Sequence, residues 1–328
     1  MTKGPVRAAA IQMEARLADV SGNISQACDL ADRAARAGAR YIALPEFFTT
    51  QIALDDRLHG CSLPFDNSAT RMLKALAIAN GAVIGGSFLE YDAGDVFNTY
   101  VLFTPEGVAH THRKDLPTMA ECAYYLGGND RGLADLGDHT VGIAVCWETI
   151  RSATVRRLRG ACDVIMSGSH WWSSPEWTVP GPYLRYHARL NADLMYRTPG
   201  RFAHMVGAPM LHGAHCGSLV GRYAITPRFS LDMKTHLVGE AQIVNASGEI
   251  VARRTRDEGA GIVFADIVTG RTKPAEEPPE SFWLEPLPPL IRLMWATQNQ
   301  VCRKIYERAR REGRIKAYDE TRNLQVAE

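Results

Sequence analysis

A short apolar segment that ends in a cysteine is the feature that most constrains this chain. Residues 140–145 read Thr-Val-Gly-Ile-Ala-Val, and Cys146-Trp-Glu follows directly. A β-branched run of this kind is typical of a buried strand in a parallel sheet. Ligands of open α/β sheets bind at the rim where such strands end. The segment therefore predicts that Cys146 lies at that rim, either as a nucleophile or as one of the many buried cysteines that act as small core side chains.

The composition and charge exclude several classes of protein. The 328 residues are 46% hydrophobic and 22% charged, which is ordinary globular composition with enough length for a large core. A net charge of +1 gives no basic field for nucleic acid or an anionic membrane. The sequence shows neither a membrane-span pattern nor a signal-peptide pattern. The 7 cysteines are widely spaced, without a Cys-x-x-Cys motif. We therefore expect a cytoplasmic protein with no nucleic-acid partner and no membrane partner.

Strand and helix patterns alternate over the first 90 residues and again over residues 140–210. Between them, residues 96–112 predict a hairpin. In the second stretch, residues 184–196 predict a helix and residues 202–207 a strand. The alternation favours two similar α/β halves that join into one structure. We expect a mixed, mostly buried pair of sheets covered by helices.

The composition changes at a segment rich in proline and glutamate over residues 273–280. We place a boundary there, with a main domain over residues 1–272 and a C-terminal tail over residues 273–328. The tail carries a helical stripe of apolar residues that we expect to pack on the body or on another subunit. Its basic end is interleaved with acids, which favours a solvated face over a nucleic-acid or membrane surface. Four tail residues are expected to be exposed and to suggest a subunit contact: Trp283, Leu284, Trp295 and Ile305.

Three polar residues stand at the ends of predicted strands: Glu46, Lys114 and Cys146. Each alone has an ordinary explanation as a surface charge or a core thiol. Together they make chemical sense, because the thiolate is the reactive form of cysteine. A carboxylate can take the thiol proton and return it to a leaving amine. An ammonium, helped by the backbone N–H of Trp147, can stabilise the anion that develops on the attacked group.

The sequence around these residues resembles the nitrilase superfamily, the carbon–nitrogen hydrolases. Glu46 stands in Leu-Pro-Glu-Phe-Phe, Lys114 in His-Arg-Lys-Asp-Leu-Pro and Cys146 in Ala-Val-Cys-Trp-Glu, similar to the superfamily's Glu-Lys-Cys triad. The resemblance covers residues 5–268. It implies a four-layer α-β-β-α sandwich, usually assembled as a homodimer or larger homo-oligomer. The implied reaction is acyl transfer to cysteine followed by hydrolysis, with no metal and no organic cofactor.

The resemblance also implies roles for two further glutamates. Glu121 stands where the superfamily has a second glutamate that positions substrate and lysine, although an exposed loop acid is the alternative. Glu148 matches a common superfamily acid and is expected to orient the turn at Cys146 rather than to transfer protons.

The predicted pocket is largely aromatic. An apolar wall with few polar groups suits a small apolar or aromatic acyl group. His170 and the neighbouring tryptophans are equally well explained as core packing. The histidines match no metal-ligand spacing, which argues against a metal. The candidate substrate-binding residues are Phe47, Tyr125, Trp147, His170, Trp171 and Trp172, and the histidines considered as ligands are His170, His204, His212 and His215.

Among the activities of the superfamily, hydrolysis of a small amide is the first expectation. The Cys-Trp-Glu sequence at Cys146 is similar to nitrilases, so conversion of a nitrile is the alternative. Hydrolysis of an N-carbamoyl amino acid is a further alternative, in which arginines of residues 151–159, or Arg197 or Arg201, would bind the carboxylate. A non-catalytic binding protein with the same fold is disfavoured by the complete set of Glu46, Lys114 and Cys146.

Overall fold

Two six-stranded halves of β-sheet form the centre of the molecule, in a computed structural model that describes residues 4–274 and 276–323. The parts of the predicted segments that fall on residues 1–3, 275 and 324–328 lie outside the described residues.

The first half contains β1 to β5, in the order β5-β4-β3-β2-β1, with β14 antiparallel along the other side of β1. The strands β1, β2 and β3 are parallel, and the predicted hairpin is formed by β4 and β5. The elements are β1 Val6–Met13, α1 Val20–Arg36, β2 Tyr41–Ala43, α2 Ser68–Asn80, β3 Val83–Asp92, β4 Asp95–Phe103, β5 Ala109–Arg113 and β14 Gly261–Ile267.

The second half has the order β6-β7-β8-β9-β12-β13, with β7, β8 and β9 parallel. It joins the first half where the ends of β1 and β9 pair, at Gln12 with Ala214 and Met13 with His215. A separate two-stranded hairpin, β10 with β11, was not predicted from the sequence. The elements are β6 Leu133–Asp135, β7 Thr140–Val145, α3 Ser152–Leu158, β8 Val164–Ser169, α4 Gly181–Val206, β9 Met210–His215, β10 Ser218–Thr226, β11 Phe229–His236, β12 Gly239–Val244 and β13 Ile250–Thr255.

The side chains of β1 show how the layers pack. Ala8 and Ala10 point into a buried cluster that also holds Val141 and Met166 of the second half. Their neighbours Ala9 and Ile11 point the other way, into the core beneath α1 and α2. This alternation follows from the two-residue period of a strand, and here both faces are apolar. The helices α3 and α4 cover the outer face of the second half. The result is the predicted α-β-β-α sandwich.

Local signals explain the first helix. The side chain of Asp19 accepts a hydrogen bond from the backbone nitrogen of Gly22 and so caps α1. The buried residues of α1 recur at helical spacing and form one apolar face, while Arg33 and Arg36 lie in the last turn, where cations favour the helix dipole.

The strand predicted over residues 202–207 is wrong. These residues complete α4, a single helix that contains Pro199 and ends at Gly207, whose φ is 83°. Phe202, Ala203 and Val206 are all buried, a spacing that places them on one helical face against the second half-sheet. The short apolar run satisfied a strand pattern equally well, and the packing of α4 decided between the two.

The tail packs on the body of its own chain. Its helix α5, Pro289–Arg311, buries one face that includes Ile291, Cys302 and Tyr306. The expected exposure of the four tail residues is wrong. Leu284 is buried beside α3 and α4, and Trp283, Trp295 and Ile305 are partly buried against the core. The ring centroids of Trp283 and Trp147 are 5.5 Å apart. Among the described residues, no helix combines the length and the apolar character needed to cross a bilayer.

Candidate active site

The backbone of Glu46, which follows β2 of the first half-sheet, lies close against Gly168 in β8 of the second. The chain leaves β2 and passes against β8, where a Cβ at Gly168 would lie 2.5 Å from the backbone nitrogen of Glu46. Only a glycine leaves room for this approach. His215 donates from Nε2 to the Glu46 carbonyl oxygen at 2.8 Å, and the backbone nitrogen of His170 donates to Glu46 Oε2 at 2.9 Å. The next residue, Phe47, has a φ of 52°, so the chain turns sharply here.

Lys114 follows β5 and is completely buried between two carboxylates. Its Nζ donates to Glu46 Oε1 at 2.8 Å and to Glu121 Oε2 at 2.7 Å. The backbone nitrogen of Lys114 is held by the carbonyl oxygen of Asn98 at 2.9 Å. Asn98 Nδ2 also donates to Glu46 Oε1 at 2.8 Å. The ammonium therefore has a fixed position relative to both glutamates.

Glu121 lies in a short 3-10 helix, Met119–Ala123, and is buried. The alternative that it is an exposed loop acid is therefore wrong. Besides the bond from Lys114, its Oε2 accepts one from the backbone nitrogen of Thr118 at 2.9 Å and one from the Tyr125 hydroxyl. Three donors on one carboxylate oxygen fix the orientation of the Glu121 side chain.

Cys146 begins the turn that follows β7. Its φ is 52°, an uncommon value for a residue other than glycine, and Thr149 Oγ1 donates to its carbonyl oxygen at 2.6 Å. Glu148 accepts from the backbone nitrogen of Val145 at 2.7 Å. These bonds on both sides hold the backbone of Cys146 in its strained turn.

Glu148 in turn is tied to His112, whose Nε2 lies 2.9 Å from Glu148 Oε2 and whose Nδ1 lies 2.5 Å from Asp130 Oδ1. Burial lowers the pKa of His112, but the carboxylate of Glu148 outweighs it, and the net pKa is raised to about 9. Burial would raise the pKa of Glu148, yet His112 and Arg157 hold it well below its ordinary range. Glu148 is thus a permanent anion that supports the turn.

A carboxylate oxygen of Glu46, a carboxylate oxygen of Glu121 and the Sγ of Cys146 all lie within 4.8 Å of one another. Burial raises the pKa of Glu46 to about 7, against the opposing effect of Lys114. Burial, with the nearby Glu46 carboxylate, raises the pKa of the Cys146 thiol well above its ordinary value. Burial alone would lower the pKa of Lys114, but the carboxylates of Glu121 and Glu46 raise it. The lysine therefore stays charged and supplies the positive charge that a metal ion would supply between two carboxylates.

A narrow cavity of about 40 Å³ reaches Cys146 and Glu121. Four of the predicted pocket residues line it: Trp147, His170, Trp171 and Trp172. A water needs about 10–15 Å³ of such space, so the cavity admits only a few non-hydrogen atoms.

Phe47 and Tyr125, also predicted as pocket residues, lie behind this surface. Both are buried, and their ring centroids are 5.9 Å apart. Phe47 packs on His170 at the same centroid distance of 5.9 Å, and Tyr125 holds Glu121. Their contacts are with pocket and site residues rather than with the cavity.

The arginines proposed to bind a substrate carboxylate are paired elsewhere. Arg151 contacts Asp115, Arg157 approaches Glu148, and Arg197 and Arg201 both pair with Glu285. The cavity lining contains none of them.

Several residues of the site were not predicted from the sequence. Asn98 holds Glu46, and Asn191 accepts from Trp171 Nε1 at 2.9 Å. From the tail, Ile291 and Met294 line the cavity. The only sequence signal for the last two is the apolar stripe of α5, which indicates burial but not the surface that it covers.

The fold and the site together define the class of the protein. A four-layer sandwich with a buried cluster of carboxylate, ammonium and thiol, in which the thiol lines a cavity, is the architecture of an α/β enzyme of the nitrilase superfamily. Residues 7–277 match the family model described as carbon-nitrogen hydrolase. The chain therefore belongs to the carbon-nitrogen hydrolase family.

Similar proteins include both amidases and nitrilases. Omega-amidase NIT2 of Bos taurus is 28% identical, over 75% of this chain and 83% of its own length. An aliphatic nitrilase of Sinorhizobium fredii is 29% identical over 45% of this chain and 54% of its own length. Among solved structures, a variant of the Nesterenkonia amidase carries the acetamide moiety of fluoroacetamide on its active-site cysteine. It has a TM-score of 0.62 and 17% identity, covering 80% of this chain and 90% of that one.

Proposed function

We propose that the protein hydrolyses the carbon–nitrogen bond of a small amide through a thioester on Cys146. The observation that carries this proposal is the buried cluster of Glu46, Lys114, Glu121 and Cys146, of which Cys146 and Glu121 line a narrow cavity. Glu46 acts as the general base and Lys114 stabilises the developing anion. Glu121 positions Lys114 and the substrate amide.

In the first half of the reaction, the Cys146 thiol gives its proton to Glu46 as its sulfur bonds to the carbonyl carbon. The Lys114 ammonium and the backbone N–H of Trp147 receive the negative charge that forms on the carbonyl oxygen. The carbon–nitrogen bond then breaks, and Glu46 passes its proton to the leaving nitrogen. Ammonia or an amine departs, and the acyl group remains on Cys146.

In the second half, water replaces the departed amine. Glu46 takes a proton from the water as its oxygen bonds to the thioester carbon. The carbon–sulfur bond breaks, the carboxylic acid is released, and the proton returns to the Cys146 sulfur. A pKa near 7 suits Glu46 to accept and release this proton near neutral pH, because general acid–base catalysis is most effective when the two values match.

The cavity supports a small, largely apolar acyl group. Most of the exposed surface of its wall is apolar, from tryptophan rings and tail residues, and a smaller part comes from polar residues such as Ser173 and Asn191. Asn191 is occupied with the backbone and ring of two tryptophans, so it has limited capacity for substrate. Aliphatic amides of short chain fit this description best.

Hydrolysis of a nitrile is a second candidate. The Cys146-Trp-Glu148 sequence and the likeness to the Sinorhizobium nitrilase favour it. The same thiolate would add to the nitrile carbon, and two waters would be consumed before the acid is released. The site geometry supports either substrate, since both reactions use the same thiol, base and ammonium.

Ammonia release from matched pairs of amides and nitriles tests the proposal. Acetamide with acetonitrile, butyramide with butyronitrile and N-carbamoyl-alanine as a third class form a suitable panel. We expect the amide of each pair to be the better substrate. Equal or faster turnover of the nitriles would transfer the assignment to the second candidate.

Alkylation separates an enzyme from a binding protein of the same fold. We expect iodoacetamide to label Cys146 fastest, and Cys146→Ala to remove both this label and ammonia release. Cys162 is a matched control, since it is equally buried but lies in the cluster beneath α3 and α4. Cys162→Ala should retain both. Uniformly slow labelling of all cysteines would contradict the catalytic proposal. Assembly into a homodimer or larger homo-oligomer remains a prediction.

A further inference from the structure

The C-terminal tail reaches the candidate active site from outside the matched family region. The family model ends at residue 277, whereas α5 begins at Pro289. Two of its side chains, Ile291 and Met294, line the cavity that contains Cys146 and Glu121. Ile291 is almost fully buried, at 5% exposure. One wall of the cavity is thus supplied by a segment that is not part of the common sandwich.

Two further contacts fix this wall to the site. Asn299 Oδ1 accepts a hydrogen bond from the backbone nitrogen of Met119 at 2.7 Å. Met119 has a φ of 55° and stands two residues before Glu121, so the bond supports the strained start of the loop that carries Glu121. At the other end, the ring of Trp283 packs edge-on against Trp147, the residue after the nucleophile. The tail therefore holds both loops that flank the cavity.

We propose that Ile291 and Met294 determine which acyl groups the enzyme accepts, by forming an apolar part of the cavity wall. The proposal rests on the proposed hydrolysis of a small amide and names the part of the chain that limits its size. Both side chains are apolar, so the group they contact is an unbranched aliphatic or similarly apolar acyl chain. The thioether of Met294 is flexible and fills an irregular gap, which lets the wall follow a short chain closely.

The direction of the effect follows from volume. Replacing Met294 by alanine removes three non-hydrogen atoms from the wall and lengthens the space available to an acyl chain. One added methylene changes specificity in an apolar pocket by about 10-fold or more. Met294→Phe has the opposite effect, because its ring occupies space that the wild-type thioether leaves free.

The test is kcat/KM for linear amides from acetamide to octanamide, measured by ammonia release. For Ile291→Ala and Met294→Ala we expect the optimum to move to longer chains by one methylene or more, with about a 10-fold gain for the longest chains relative to acetamide. For Met294→Phe we expect the optimum to move to shorter chains. The matched control is Leu293→Ala, on the same helix but 60% exposed, which should leave the series unchanged. An unchanged chain-length optimum in all three cavity variants would overturn the proposal.

A second measurement does not depend on turnover. The rates at which iodoacetamide and N-hexyl iodoacetamide alkylate Cys146 are compared as a ratio. In Ile291→Ala and Met294→Ala the bulkier reagent should gain about 10-fold relative to iodoacetamide, and in Met294→Phe it should lose. If no amide is hydrolysed by any variant but the ratio shifts in this way, the proposed function is wrong and the proposed role of Ile291 and Met294 in limiting access to Cys146 is supported. If amides are hydrolysed and neither the chain-length optimum nor the alkylation ratio shifts, the proposed function holds and the proposed role of Ile291 and Met294 is wrong.

Discussion

Asn98 donates from Nδ2 to Oε1 of Glu46 at 2.8 Å, the same carboxylate oxygen that accepts from Lys114. Its carbonyl oxygen also accepts from the backbone nitrogen of Lys114. One asparagine on β4 therefore fixes the distance between the proposed base and the proposed anion-stabilising ammonium.

Substitution Asn98→Ala should lower kcat by about 10-fold to 100-fold with little change in KM, because the carboxylate loses one of the bonds that orient it. The loss of a donor to the ionised form should also raise the pKa of Glu46. The acidic limb of the pH–kcat profile should therefore move to higher pH. Asn80→Ala, at the end of α2, is the control for loss of an asparagine far from the site. A fall in kcat without any shift of the profile would indicate a purely structural role.

The pH dependence of the wild-type enzyme should report Glu46. The carboxylate must be ionised to accept the thiol proton, and burial raises its pKa to about 7. Below pH 7 the protonated fraction grows, so kcat/KM should fall about 10-fold per pH unit as the pH decreases. Above pH 7 it should level off. The measurements should use buffers of constant ionic strength, so that only the pH changes. A kcat/KM profile that stays flat down to pH 5 would show that a group other than Glu46 is the base.

Removal of the buried ammonium should affect both stability and activity. In Lys114→Met the carboxylates of Glu46 and Glu121 lose their shared cation while remaining buried. Breaking a buried ion pair from one side costs about 3–5 kcal/mol, measurable as a lower urea midpoint at pH 8. Ammonia release should fall at least 100-fold. Lys74→Met, on the exposed face of α2, should change neither quantity by a comparable amount.

The loss of stability in Lys114→Met should shrink at pH 5. Burial raises the pKa of Glu46 to about 7, so at pH 5 this carboxyl group takes up a proton and the unpaired negative charge decreases. An equal loss at both pH values would show that packing rather than charge is responsible.

The contact between Gly168 and Glu46 should be intolerant of any side chain. In Gly168→Ala the new Cβ would lie 2.5 Å from the Glu46 nitrogen and 2.6 Å from the Pro45 carbonyl carbon, both rigid backbone atoms. We expect a loss of about 1–3 kcal/mol in the free energy of unfolding. A displacement of Glu46 should also reduce kcat. Gly60→Ala is the matched control, since no atom lies within 4 Å of the added Cβ. Wild-type kcat in Gly168→Ala would contradict the proposed sensitivity of the site.

Site residues at the ends of strands could be predicted from the sequence, whereas site residues whose role depends on pairing between strands could not. Glu46 and Cys146 each follow an apolar run, Lys114 follows the second strand of the predicted hairpin, and strand ends converge in an α/β sheet. Asn98 lies inside β4, where nothing in its own neighbourhood distinguishes it from an ordinary strand residue. Its importance arises only from pairing with β5, which brings Asn98 beside Lys114. Such contacts depend on register, which local patterns do not specify.

Long connections limited the prediction in the same way. The position of Ile291 in the cavity depends on the path of residues 276–288, which is set by contacts such as that of Trp283 with Trp147. The hairpin of β10 and β11 was not predicted, although residues 229–236 alternate apolar and polar side chains, the pattern of a half-exposed strand. The misassigned strand over residues 202–207 was short and apolar, and such runs suit a helix or a strand equally.

The two half-sheets meet through β1 and β9 at the pairs Gln12 with Ala214 and Met13 with His215. Glu46 and Lys114 belong to one half and Cys146 to the other. Neither half can therefore carry out the proposed reaction by itself, even with all of its own hydrogen bonds intact. Turnover therefore reports whether the two half-sheets are packed together correctly. Under mild denaturation, turnover should be lost when the apolar side chains between the two half-sheets separate. At that denaturant concentration, far-ultraviolet circular dichroism should still show nearly all of the helices and strands.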